Sequence, residues 1–163
     1  MFALEKQAAN LKKVLDHIGA KSVFQKKATE ALIKAADSQY FEFAEDFVTR
    51  LNRAIAEGEK FEYMATAYLN YTKSIRIEEM HFAKEDNYRY ADFLEVYDKV
   101  YSRDDYMLDY VVGLGMTQIF WPNHYQIVKF FLDHYLPLIK DFEKGAEIGV
   151  GHGLFHSELL RAA

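Results

Sequence analysis

From Leu4 to Tyr135 apolar residues return at every third or fourth position rather than every second, a spacing that confines most of the chain to packed helices. Leu4, Ala8, Leu11, Leu15 and Ile18 share one helical face, and Gly19 stands where a left-handed C-terminal cap would end it. Ser22 and Gln25 have capping-box spacing, and Phe24, Ala28, Ala31, Leu32 and Ala35 mark a second helix, so the two form a hairpin. Tyr40, Ala44, Phe47, Val48, Leu51 and Ile55 give a third stripe, closed by Gly58. A fourth, longer helix starts near Phe61 and carries Met64, Ala65, Tyr68, Thr72, Ile75 and Phe82 on one side. The polar stretch Asp86 to Arg89 interrupts the pattern before Phe93, Val96, Tyr97 and Val100 resume it. Ser102, with Asp104 and Asp105 behind it, begins a sixth helix whose apolar face is Leu108, Val111, Val112, Gly115 and Ile119. Glycine inside a helix costs about 1 kcal/mol relative to alanine. Gly113 and Gly115 therefore predict close approach of another backbone or a ligand.

The junction Trp121-Pro122-Asn123-His124-Tyr125-Gln126-Ile127 is sharply marked. Pro122 breaks the helical pattern, Asn123 can cap the next helix with Gln126 at the capping-box position, and Pro122 can pack on Ile127 as a staple. This turn would bring Trp121, His124 and Tyr125 to one helix start, as in a pocket wall; the plainer alternative makes Trp121 a core anchor and His124 a half-exposed first-turn residue. Ile127, Val128, Phe131, Leu132 and Tyr135 continue the helix, which Pro137 is expected to stop.

Composition removes several functions. The net charge of -5 is uneven, because seven lysines and three acids up to Ala36 leave -9 for the remainder, and this disfavours nucleic acid as a partner. The chain has no cysteine, which excludes disulfides, thiolate metal sites and cysteine catalysis. The first residues mix Glu5 and Lys6 among apolar ones and do not read as a secretory signal, and no apolar run approaches membrane-spanning length, so a soluble cytoplasmic protein is expected. With 12 Tyr and 13 Phe the aromatic content exceeds what a helical core needs and suits a pocket for a small organic molecule. Glu78-Glu79-Met80-His81 contains a Glu-x-x-His pair, but no second copy exists, so a di-iron site gives way to a charged helix face. No metal site is expected, and no G-x-S-x-G turn supports serine catalysis.

Only after Lys144 does the chain change type. Ala146-Glu147-Ile148 is brief and strand-like, Gly149, Gly151 and Gly153 stand at alternate positions, and Leu154 to Leu160 is helical. A dinucleotide loop would need glycine where Leu154 stands, and a phosphate loop would need a lysine that is absent. Glu147-Ile148-Gly149-Val150-Gly151-His152-Gly153 resembles the first motif of class I S-adenosylmethionine-dependent methyltransferases. Trp121-Pro122-Asn123-His124, at the head of the last helix before it, resembles methyltransferases that carry a helical cap over the acceptor pocket.

The resemblance implies a mainly α chain: a helical N-terminal cap or substrate domain over residues 1–140, then the first strand, loop and helix of a Rossmann-like α/β domain over 141–163. By the same resemblance Glu147, Gly149, Gly151 and Gly153 touch S-adenosylmethionine, and the helices shape the site of a small-molecule acceptor. His124 is the first candidate for removing a proton from the acceptor, with Tyr125 as its orienter; His152 and His156 rank behind it. One strand and one helix cannot make a sheet, so the expectation is the N-terminal part of a longer methyltransferase, inactive alone, with its last twenty residues frayed, repacked as helix or swapped into a partner. The alternative is an all-helical binding or dimerisation module, a homodimer through the helical domain being possible in either case.

Overall fold

A computed structural model describes residues 7–56, 58–139 and 143–162. Leu4 of the first stripe, and Lys140 to Phe142 at the expected domain boundary, lie outside them. The described chain is mainly α-helical and contains no strand. Its helices are α1 (Ala9–Lys21), α2 (Val23–Ala35), α3 (Ser38–Ala54), α4 (Lys60–Glu85), α5 (Phe93–Val96), α6 (Asp104–Phe120), α7 (Pro122–Phe130), α8 (Leu136–Ile139) and α9 (Leu154–Ala162). Two π-helical turns, Tyr97–Tyr101 and Phe131–Tyr135, extend α5 and α7.

Helix ends follow local chemistry. Ser22 Oγ accepts the Gln25 N–H at 3.2 Å, Asp37 Oδ1 that of Tyr40 at 2.8 Å and Asp92 Oδ1 that of Glu95 at 3.0 Å. Asp86 closes α4 in the left-handed region with φ 52°. The start of α1 is capped from a distance, because the Glu45 carboxylate on α3 accepts the amides of Asn10 (3.0 Å) and Leu11 (2.9 Å). Four expected boundaries move, the first being the start at Ser102: α6 begins at Asp104 with Arg103 at its N-cap, and the Ser102 hydroxyl donates back to Asp98 O at 2.7 Å. Gly19 lies inside α1, which runs on to Lys21 because Ser22 supplies the stop and the next start together. Trp121, not Asn123, occupies the N-cap of α7, and Pro122 takes the first helical position, where its missing N–H costs nothing. Pro137 ends nothing: the wider Phe131–Tyr135 turn stands just before it, where a proline removes a donor from the regular ladder, and α8 continues beyond.

The core lies where α4 packs on α6 and α1. Leu11, Val14, Ile18, Tyr40, Val48, Met64, Tyr68, Met116 and Ile119 are sealed from solvent there. Gly113 explains how two helices come so near: a Cβ on it would stand 2.6 Å from Ala67 O and from Tyr71 Cβ. The close approach that the sequence predicted is thus a backbone, that of α4. Where α6 ends, the Tyr40 hydroxyl donates to the Ile119 carbonyl at 2.8 Å, satisfying a group that the helix leaves open.

Ala146 to Ile148 shows no strand, as expected of a segment with no neighbouring strand to share its hydrogen bonds, and Ile148 is 98% exposed. The helix after it is formed and docked. Leu154 is buried, the Phe155 ring meets Phe131 at 4.8 Å, and Arg50 of α3 donates to Ser157 (2.6 Å) and Glu158.

Candidate functional site

The glycine loop takes a conformation that its sequence made available. Gly149, Gly151 and Gly153 have φ of 75°, 55° and 71°, a region that L side chains avoid. Gly153 N–H donates to Val150 O at 2.9 Å to close the turn, and Ser157 N–H donates to Gly153 O at 2.9 Å to open α9. A Cβ on Gly149 would meet nothing within 4 Å, so that side of the loop is open. The other side rests on α6: a Cβ on Gly151 would lie 3.7 Å from Leu114 Cδ2, and one on Gly115 would lie 3.6 Å from His152 Cβ. The second glycine of α6 thus makes room for the loop.

His152 has a definite task within this arrangement. Its Nδ1 accepts the N–H of Leu154 at 3.1 Å, which makes it a side-chain cap for α9 and places its proton on Nε2. One of the amide donors at the start of α9 is therefore occupied. Those of Phe155 and His156, also in the first turn of α9, have no intrahelical acceptor.

His124 sits at the start of α7, its ring 4.9 Å from that of Trp121. Its Nδ1 lies 2.8 Å from Thr117 Oγ1 and 3.2 Å from Gln118 Nε2, and it cannot donate to one and accept from the other at once. The Thr117 hydroxyl donates to Leu114 O at 2.6 Å, which leaves its oxygen free to accept from His124 in the tautomer protonated at Nδ1, and the Gln118 amide also reaches Thr117 Oγ1 at 3.3 Å. We assign the lone pair of the neutral ring to Nε2, the form that a general base needs. Burial holds the His124 pKa below its ordinary value. His152 is lowered first by burial and then by the charge of His124, which places the two imidazoles within electrostatic reach.

Tyr125 lies elsewhere. It packs edge-on against Tyr40 at 5.0 Å and near Phe43 at 6.0 Å, and burial followed by the Asp37 and Asp133 charges pushes its hydroxyl up to about 12. The group that holds His124 is Thr117, one position in a Thr117-Gln118 pair that sequence reasoning passed over. The signal was present: two polar residues interrupt an otherwise apolar stretch from Leu114 to Phe120, and both are buried.

Glu147 belongs to a second cluster. Its Oε2 stands 3.7 Å from His156 Nδ1, and both line an open groove of about 790 Å³ with Phe130, Phe131, Tyr135 and Phe155. His152 of the loop thus lies against α6 at Gly115, within electrostatic reach of His124, while Glu147 shares the groove with His156. Glu78 accepts from Arg89 Nε at 3.0 Å, and among the described residues no group of three or more His, Asp or Glu is placed to hold a metal ion. No helix among them is long and apolar enough to cross a membrane. The chain matches no protein-family model, no curated protein and no solved structure.

Proposed function

We propose that this chain supplies the helical, acceptor-side domain and first cofactor motif of an S-adenosylmethionine-dependent methyltransferase acting on a small organic acceptor. The carrying observation is the loop itself: three alternate glycines, all at positive φ, open at Gly149 and leading into the N-terminus of a nine-residue helix. The residues fit the cofactor, since no side chain obstructs Gly149 and the first-turn amides of Phe155 and His156 suit its carboxylate. Gly149, Gly151, Gly153 and Glu147 would hold it, and when bound it supplies an activated methyl on a sulfonium. Rossmann-like strand pairing for Ala146 to Ile148 belongs to the same proposal. His124, kept neutral by burial and turned by Thr117, removes the acceptor's proton through Nε2. The aromatic groove beside Glu147 and His156, which His124 does not line, offers an apolar wall next to the cofactor motif rather than the seat of the proton transfer.

Calorimetric titration of S-adenosylhomocysteine into the gene product at its natural length tests the reading. Binding is expected, weakened at least about tenfold by Gly149→Val, in which a branched side chain would be forced into positive φ. Absence of binding in that protein would reject it. A helical binding or dimerisation module remains the second reading, favoured by the exposed apolar faces of Ile127 and Phe130 (56% and 61% accessible). Under it the chain sediments as a dimer and ignores S-adenosylhomocysteine.

A further inference from the structure

A small cavity of about 230 Å³ opens between α4 and α6, separated from His124 by Trp121 and lined by Asn70, Tyr71, Ser74, Tyr106, Asp109 and Tyr110. Three of the six are tyrosines, and their rings are mutually arranged: Tyr71 and Tyr110 meet edge to face at 5.3 Å, and Tyr106 and Tyr110 stack at 6.3 Å. Asp109 is the one formal charge among the lining residues, and no lysine or arginine joins it. A neighbouring cation, Arg103, lies over the Tyr106 ring at 5.8 Å and is paired with Asp105 at 3.2 Å. Burial pushes the Tyr71 hydroxyl up to about 12 and raises that of Tyr106 as well, so both rings are neutral at physiological pH.

Neutral tyrosine faces attract cations through their ring quadrupoles, and a carboxylate at the same place adds a full charge of matching sign. Anions are repelled by both. The cavity lies below the range of about 300–1,000 Å³ typical of drug-sized ligands, so its occupant is small. We propose that Tyr71, Tyr106, Tyr110 and Asp109 form a binding site for a small alkylammonium ion, with the Asn70 amide and the Ser74 oxygen, whose proton goes to Tyr71 O at 2.8 Å, able to bond a hydroxyl substituent on it. The site is separate from the glycine loop and does not depend on the methyltransferase reading.

NMR titration with choline and with its neutral isostere, in which carbon replaces the quaternary nitrogen, tests the proposal. Choline at about millimolar concentration should shift the ring resonances of Tyr71, Tyr106 and Tyr110, and the isostere should bind about tenfold more weakly or worse. Asp109→Asn should weaken choline about tenfold and leave the isostere unchanged. Tyr106→Phe keeps the ring and should retain choline, whereas Tyr106→Leu should lose it; this pair decides the matter if Asp109→Asn unfolds by circular dichroism. Equal binding of the two probes, unmoved tyrosine rings, or retained choline affinity in Tyr106→Leu overturns the proposal.

Discussion

Thr117 Oγ1 stands 2.6 Å from Leu114 O and 2.8 Å from His124 Nδ1, so one hydroxyl donates into its own helix while accepting from the imidazole at the start of the next. Polar residues in an apolar helix are costly unless such partners exist, and here both lie within reach. Thr117→Val keeps the shape and removes the acceptor. Gln118 Nε2, at 3.2 Å, then becomes the partner of His124 Nδ1 and donates to it, moving the ring proton to Nε2. Nitrogen NMR should show that change of tautomer, with stability lower by about 1 kcal/mol. An unchanged tautomer would refute the positioning role of Thr117.

The two glycines of α6 make a paired test. Gly113→Ala would drive a methyl to 2.6 Å from Ala67 O, a backbone atom that cannot step aside, and should cost about 3 kcal/mol in urea unfolding despite the gain in helix propensity. Gly115→Ala meets Phe47 Cζ at 3.4 Å and His152 Cβ at 3.6 Å, ordinary contacts, and should change stability by no more than about 1 kcal/mol. Equal costs for both would contradict the packing of α4 on α6.

Much of this was legible in the sequence because apolar spacing and caps are local. The stripe through Tyr40, Ala44, Phe47 and Val48 is the buried face of α3, and Ser22 caps α2 through Gln25 as the capping-box spacing implied. Gly113 announced a close approach, although nothing local could name Ala67 as the neighbour. Gly19 and Pro137 misled because neighbouring residues decide their effects: Ser22 sets the end of α1, and a π-helical turn accommodates the proline. At the site, the motif drew attention to His152 as part of a loop, but its role as the cap of Leu154 and its place against Gly115 are tertiary. Thr117 escaped notice for a similar reason, since a helical threonine becomes informative only when its partner seven residues on is known.

Acid should loosen the junction between loop and body. Burial lowers the pKa of both His124 and His152 in the folded chain, with His124 adding a repulsive charge to His152. The unfolded chain, with histidines near about 6.5, binds protons first as pH falls. Stability is therefore complete above that value and declines as pH drops through it toward the folded-state pKa values. Urea midpoints measured between about pH 7.5 and 5 should fall, and His152→Gln should flatten that slope. A slope identical in wild type and His152→Gln would assign the acid sensitivity to other groups.

Arg50 decides whether the helix behind the glycine loop stays on the body. Its guanidinium donates to Ser157 at 2.6 Å, pairs with Glu158, and contacts Asp46 at 3.0 Å through Nε. Arg161 reaches the same Asp46 at 2.6 Å, so two arginines and two acids tie α9 to α3. Both Arg50 and Glu158 are mostly shielded from solvent, at 23% and 12% exposure, which preserves the strength of their pairing. Arg50→Ala removes the shared link and leaves Glu158 half-stranded, at a cost of about 2 kcal/mol. That loss should fall on α9 more than on the core, because only Leu154, the Phe155–Phe131 contact and the half-exposed Arg161–Asp46 pair then hold the helix. Hydrogen exchange should accelerate across residues 154–162 while α4 and α6 keep their protection. Uniform acceleration through all helices would mean that α9 opens only with the whole chain, and the loop would then be as firmly held as the core it rests on.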